Sequence, residues 1–104
     1  MPADLGVSNG ADGGRPTVAF TGEVDVTNVD RFSAALAADG SATVVADLTG
    51  LTYLDSAGIQ VLFTVARQRK LEIVAGPGCL VRRVLEVVGL GEVATLHDED
   101  EPPA

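Results

Sequence analysis

The run ATVVADL, residues 42 to 48, is an almost unbroken apolar stretch with two adjacent valines, too short for a helix of ordinary length. It lacks the polar alternation of a half-exposed strand and fits a central strand covered on both faces of a largely parallel sheet. Its surroundings fit that role. Upstream, PTVAFTGEVD holds a strand around Val18 to Thr21 that turns at Gly22 into an acidic loop. In TNVDRFSAALAADG, Val29, Phe32, Ala35 and Leu36 share a helical face, with Thr27 as N-cap, Asp30 three residues on and Gly40 as stop. Downstream, the period is helical from Ser56 to Lys70, with Ile59, Leu62, Phe63 and Ala66 in one stripe and Asp55 at the N-cap. LEIVAG repeats the apolar strand signal. PGCLVRRVLEVVG then puts Leu80, Val84, Leu85 and Val88 on one helical face ending at Gly89, with Pro77 near the first turn, and EVATLH is a last strand. Strands alternating with helices predict an α/β domain: a small, mixed, mainly parallel sheet with helices packed on it. The loops at one end of such a sheet build a site.

The 104 residues suffice for one domain. Residues 1–15, rich in Gly, Asn and Asp, are expected to be flexible apart from a possible short edge strand near Leu5 to Val7. Residues 16–97 form the domain, and the acidic tail DEDEPPA, residues 98–104, is expected to be disordered. With 15 acidic against 7 basic residues, the net charge of −8 opposes phosphate backbones and anionic membranes and suits a cationic protein partner. Direct nucleic-acid or membrane binding is therefore not expected. No apolar run approaches the roughly 20 residues that span a bilayer. The N-terminus lacks the charged and apolar regions of a signal peptide, so the expected location is cytoplasmic. A single cysteine, Cys79, has no disulfide partner and no neighbouring ligands for a metal, and is expected to pack as a small apolar residue. Neither metal nor cofactor is expected.

The chemistry concentrates in LTYLDSAGIQVLF, residues 51 to 63. LDSAG reads as a strand-to-helix loop that leaves Ser56 at the first helical position, where backbone N–H groups and the helix dipole favour a phosphate. Gly58, without a side chain, would let a partner approach closely. Asp-Ser before a helix is also ordinary capping chemistry and by itself requires no function. A nucleophile at Ser56 would need a glycine at position 54, where this chain has leucine, and a histidine base; the only histidine, His97, lies beside the acidic tail. No phosphate-cradling glycine motif is present. Catalysis is thus not expected. Glu23 and Asp25 precede the first helix, and in a parallel sheet residues 22–27 and 52–58 would gather at one edge as a single surface. Asp47 is read as a structural brace for residues 49–55. Arg82 and Arg83 are read as the polar face of the third helix.

The segments FTGEVDVTNVDRF, VVADLTGLTYLDSAGIQVL and VRRVLEVVGL stand in an order and spacing that resembles STAS domains, specifically the bacterial anti-sigma factor antagonists. The resemblance runs from about Val18 to Leu90, and DLTGLTYLDSAG is its specific part. It implies a STAS-like fold and a binding protein whose unphosphorylated form engages a serine kinase that doubles as the anti-sigma factor, releasing a sigma factor. The kinase phosphorylates one serine and a metal-dependent phosphatase restores it. Carried onto this chain, the phosphoacceptor is Ser56, and the partner surface comprises Glu23, Asp25, Thr27, Asp55, Ser56, Ala57 and Gly58. Ala57 stands where many members have a second serine. The competing reading is a STAS subunit fixed in a larger assembly, such as a stressosome-like scaffold or a lipid-transport complex, with Ser56 as a mere cap or contact.

Overall fold

The structure is a computed structural model, and it describes residues 4–12, 15–37, 42–76 and 79–97. Five strands form one sheet in the order β1-β2-β3-β4-β5: β1 (Leu5–Asp12), β2 (Arg15–Val24), β3 (Thr43–Leu54), β4 (Lys70–Val74) and β5 (Thr95–His97). Only β1 runs antiparallel, against β2; the β2–β3, β3–β4 and β4–β5 pairs are parallel. Helices α1 (Val29–Ala37), α2 (Ser56–Gln68) and α3 (Leu80–Val87) make the three crossovers, and a 3-10 turn at Leu90–Glu92 leads into β5. Each crossover advances one strand in the same direction, so right-handed connections place all three helices on one face. Their buried side chains, among them Phe32, Leu36, Leu62 and Leu85, accordingly join Phe20, Val44, Ala46, Leu48 and Ile73 in a single core. Phe20 on β2 and Phe32 on α1 meet with ring centroids 4.7 Å apart and planes tilted by 59°, a favourable aromatic geometry.

The α/β architecture expected from the alternating periods is present, with ATVVADL in the central strand. Several details differ. The strand does not end at Leu48 but continues to Leu54, because residues 49–54 pair with the end of β2. Asp47 therefore braces strand rather than loop, accepting from the Thr49 N–H at 3.0 Å and hydroxyl at 2.7 Å. The second face of β3 is covered at Val45, whose paired neighbour Glu72 is also buried, as a central strand requires. Val45 lies outside the core cluster, and its strand neighbours Thr17 and Asp47 are only partly buried. The segment read as flexible holds an eight-residue strand, whose Leu5 is buried in the core. Pairing along β2 overrides the local Gly and Asn content.

Gly89 ends α3 as expected, in the left-handed region at φ 82°. The inward faces of two helices are rotated from those read off the sequence. In α2 the buried positions are Gly58, Leu62 and Val65, with Ile59, Phe63 and Ala66 at the margin; in α3 they are Val81 and Leu85, while Leu80 and Val88 face out. Arg82 turns inward and donates to the Ala75 carbonyl at 3.1 Å, leaving Arg83 alone of the pair exposed. Cys79 packs against the core and caps α3, its Sγ accepting from the Arg82 N–H at 3.3 Å. The predicted stop at Gly40, Pro77 and the tail 98–104 lie outside the described residues.

Candidate functional site

The parallel β2–β3 pair continues to its end through register shifts between Ala19 and Thr21 and between Gly22 and Glu23, the second leaving Glu23 opposite Tyr53 and Val24 opposite Leu54. The Asp55 N–H donates to the Val24 carbonyl at 3.1 Å and the Thr52 hydroxyl to the Gly22 carbonyl at 3.1 Å. These bonds bring the acidic segment and the start of α2 to one edge, as the parallel topology requires.

Asp55 is the N-cap of α2. Its backbone is extended, and its Oδ1 accepts from the Ala57 N–H at 3.0 Å and the Gly58 N–H at 3.2 Å. Two of the donors that a phosphate would seek at a helix N-terminus are thus already held by a carboxylate. A phosphate on Ser56 would therefore share this helix start with the charge of Asp55. Ser56 is exposed, and its hydroxyl makes no hydrogen bond among the described residues. Ala57 is partly buried.

Gly58 has a packing role within the chain. It is buried, and a Cβ there would lie 2.4 Å from Leu54 Cδ1 and 2.9 Å from Val24 Cγ1, so the missing side chain lets α2 close onto the strand ends. Thr27 is not the helix cap either. Its N–H donates to Asp25 Oδ1 at 2.8 Å and its hydroxyl donates to the same oxygen. These bonds, the hydroxyl's first, hold the Asp25 carboxyl below its ordinary pKa, assisted by a backbone bond involving Asn28. Asn28 is the residue that fastens the turn to the sheet. It is 7% exposed, its Nδ2 donates to the Glu23 carbonyl at 2.9 Å, and its Oδ1 accepts from the Asp25 N–H at 3.0 Å. Its signal was visible as a good capping type directly before the helical period, one residue beyond the threonine.

Two further residues at this edge have no counterpart in the sequence reading. Val26 is 74% exposed and Tyr53 47% exposed. Tyr53 pairs with Glu23, and Val26 lies between Asp25 and Thr27, so each adds apolar area to the polar surface. A tyrosine supplies contact area and a hydroxyl together, which suits an interface. The clue was a solitary tyrosine one position before Leu54, out of phase with the buried residues Leu51 and Leu54.

Nothing at this edge resembles a catalytic dyad. His97, the only histidine, is engaged with Glu72 across β4 and β5, its Nε2 3.0 Å from Glu72 Oε1. Among the described residues no group of three or more His, Cys, Asp or Glu could hold a metal ion, and no helix is long and apolar enough to cross a membrane. A cavity of about 310 Å³ lies near the other end of β2, lined by residues including Pro16, Thr17, Leu36 and Val44.

Comparison with known proteins places this architecture. The family model described as Mlab, STAS domain, matches residues 7–97, and the chain belongs to that STAS family. In fold it is similar to an anti-sigma factor antagonist from Mycobacterium paratuberculosis, with a TM-score of 0.80 at 22% identity over 90% of this chain and 86% of that one. It is also similar to the unphosphorylated form of the anti-sigma factor antagonist SpoIIAA, with a TM-score of 0.67 at 19% identity over 91% of this chain and 90% of that one. No curated protein sequence matches the chain.

Proposed function

We propose that the protein is an anti-sigma factor antagonist that acts by binding and performs no catalysis. Its unphosphorylated form engages a serine kinase that doubles as the anti-sigma factor, freeing a sigma factor; phosphorylation of Ser56 ends binding, and a metal-dependent phosphatase restores it. The observation that carries this reading is the free, exposed Ser56 hydroxyl at the first position of α2, joined through Asp55 to the Glu23–Thr27 segment. The contact surface is Glu23, Asp25, Val26, Tyr53 and the start of α2, with Thr27 and Asn28 setting the shape of the turn. The whole would work in the cytoplasm, where the kinase has ATP.

A phosphoserine adds a charge of about −1.5 to −2 beside Asp55, in a chain of net charge −8. The test is capture of the partner on the immobilised chain with and without ATP, followed by mass spectrometry of the bait. ATP should release the captured protein and leave one phosphate on Ser56, and Ser56→Ala should bind without release. A full phosphate adduct on Ser56→Ala would move the switch elsewhere.

A second reading, a STAS subunit fixed in a larger assembly, is retained because the matching family model is described by Mlab rather than by an antagonist. It predicts stable incorporation into a complex and no phosphate on Ser56.

A further inference from the structure

Helix α3 has two apolar faces. Val81 and Leu85 enter the core, while Leu80, Val84, Val87 and Val88 recur at i, i+4, i+7 and i+8 as a second stripe along the helix surface. With Arg83 they line a shallow groove of about 290 Å³. Leu80 is 64% exposed, Val87 85% and Val88 41%; among the described residues neither α1 nor α2 exposes a large apolar side chain comparably. Valine is a weaker helix former than lysine or glutamate, so surface valines favour neither this short helix nor its solubility.

The groove's position and charge define what fits it. The crossover helices fill one face of the sheet in order, and α3 is the last of them among the described residues, with Leu80, Val87 and Val88 left exposed on its outer flank. Arg83 is exposed and makes no hydrogen bond or ion pair among the described residues, whereas Arg82 is held by the Ala75 carbonyl and by Glu86 at 3.6 Å. An unpaired cation beside an apolar stripe complements a carboxylate beside apolar anchors. A second copy of this chain brings another −8 of charge, and an anionic membrane is repelled for the same reason. The chain's own residues 98–104, DEDEPPA, have carboxylates but no large apolar side chain to fill the stripe.

We propose that this flank of α3 docks an amphipathic helix of a partner protein, its apolar residues at i, i+3 and i+4 seated on Leu80, Val84, Val87 and Val88 and its carboxylate on Arg83. The surface acts independently of Ser56.

The full chain carrying the photo-crosslinker p-benzoylphenylalanine at Val87, or at exposed Ala37 at the far end of α1 as control, is irradiated in its native host and the adducts are mapped by mass spectrometry. The expected result is an adduct from Val87 alone, to a segment of another protein with helical apolar spacing and an acidic residue. Its yield should fall by about tenfold or more in Arg83→Glu, as for loss of one well-placed interface contact, with thermal stability unchanged, and should persist in Ser56→Glu. Adducts to a second copy, to lipid or to residues 98–104 would overturn the proposal. So would a yield no higher than at Ala37, one indifferent to Arg83→Glu, or one abolished by Ser56→Glu.

Discussion

Thr27 shows how one hydroxyl can set a surface. By donating to Asp25 it keeps that carboxyl ionised to lower pH than usual and fixes its direction at the site edge. Because the folded-state pKa lies below the ordinary 3.8, the associated stabilisation is present above that value and is lost as pH falls through the lower, folded one. Thr27→Ala should raise the Asp25 pKa toward 3.8, and a side-chain carboxyl NMR titration of both proteins reads it directly; an unmoved midpoint would exclude the hydroxyl as the cause. Gly58 gives a second residue-scale expectation. A methyl group there must displace Leu54 or stiff, fully buried Val24, so Gly58→Ala should destabilise the fold by about 1–3 kcal/mol, as overpacking does, in urea unfolding. Were Gly58 instead a point of partner approach, stability would be unchanged and only binding would suffer.

At the scale of elements, β1 decides the setting of the acidic turn. The Asp4 carbonyl accepts from the Glu23 N–H at 2.9 Å, and the Leu5 carbonyl accepts from Arg31 Nη2 at 3.1 Å, so the edge strand ties together the end of β2 and the start of α1. Gly22 makes this possible. Its φ is 94°, and a Cβ would fall 2.1 Å from the Asp4 carbonyl oxygen. Leu5→Ala should therefore cost about 2–5 kcal/mol in chemical unfolding, the range for a buried leucine, whereas a flexible tail would show no loss. The strand was hard to read because β1 has few apolar residues of its own, and its order comes from a partner strand beyond the local window. The misread face of α3 has a related cause. LVRRVLEVV carries apolar residues at two helical phases, and periodicity alone does not say which phase meets the core.

For the whole molecule, the phosphorylated form should keep the fold. Asp55 already holds the Ala57 and Gly58 donors of α2, so the added phosphate has few bonds to gain there and, on an exposed residue, no buried group to disturb. Amide shifts on phosphorylation should stay within roughly residues 22–28 and 52–60, the segments joined at the site edge. Changes across β4 and β5 would point to a conformational switch instead. The effect belongs to binding. A partner anion at about 4–5 Å from the phosphate would be repelled by roughly 3–4 kcal/mol per unit-charge pair at an effective dielectric near 20, weakening affinity by more than about a hundredfold. Titration calorimetry of both forms against the captured partner measures it, and equal affinity would defeat the electrostatic account.

Local chemistry in the chain was enough to determine the alternation of elements, the central place of ATVVADL, the Asp55 cap and the helix stop at Gly89, because periodicity, caps and left-handed glycines act over a few residues. Only the tertiary structure decided that Gly58 serves packing, that Thr27 serves Asp25 while Asn28 fastens the turn, and that Leu80 and Val88 face outward. Each of these depends on which groups from distant strands and helices meet a side chain. Register and packing across the sheet set those meetings, and they cannot be read from a short stretch of sequence.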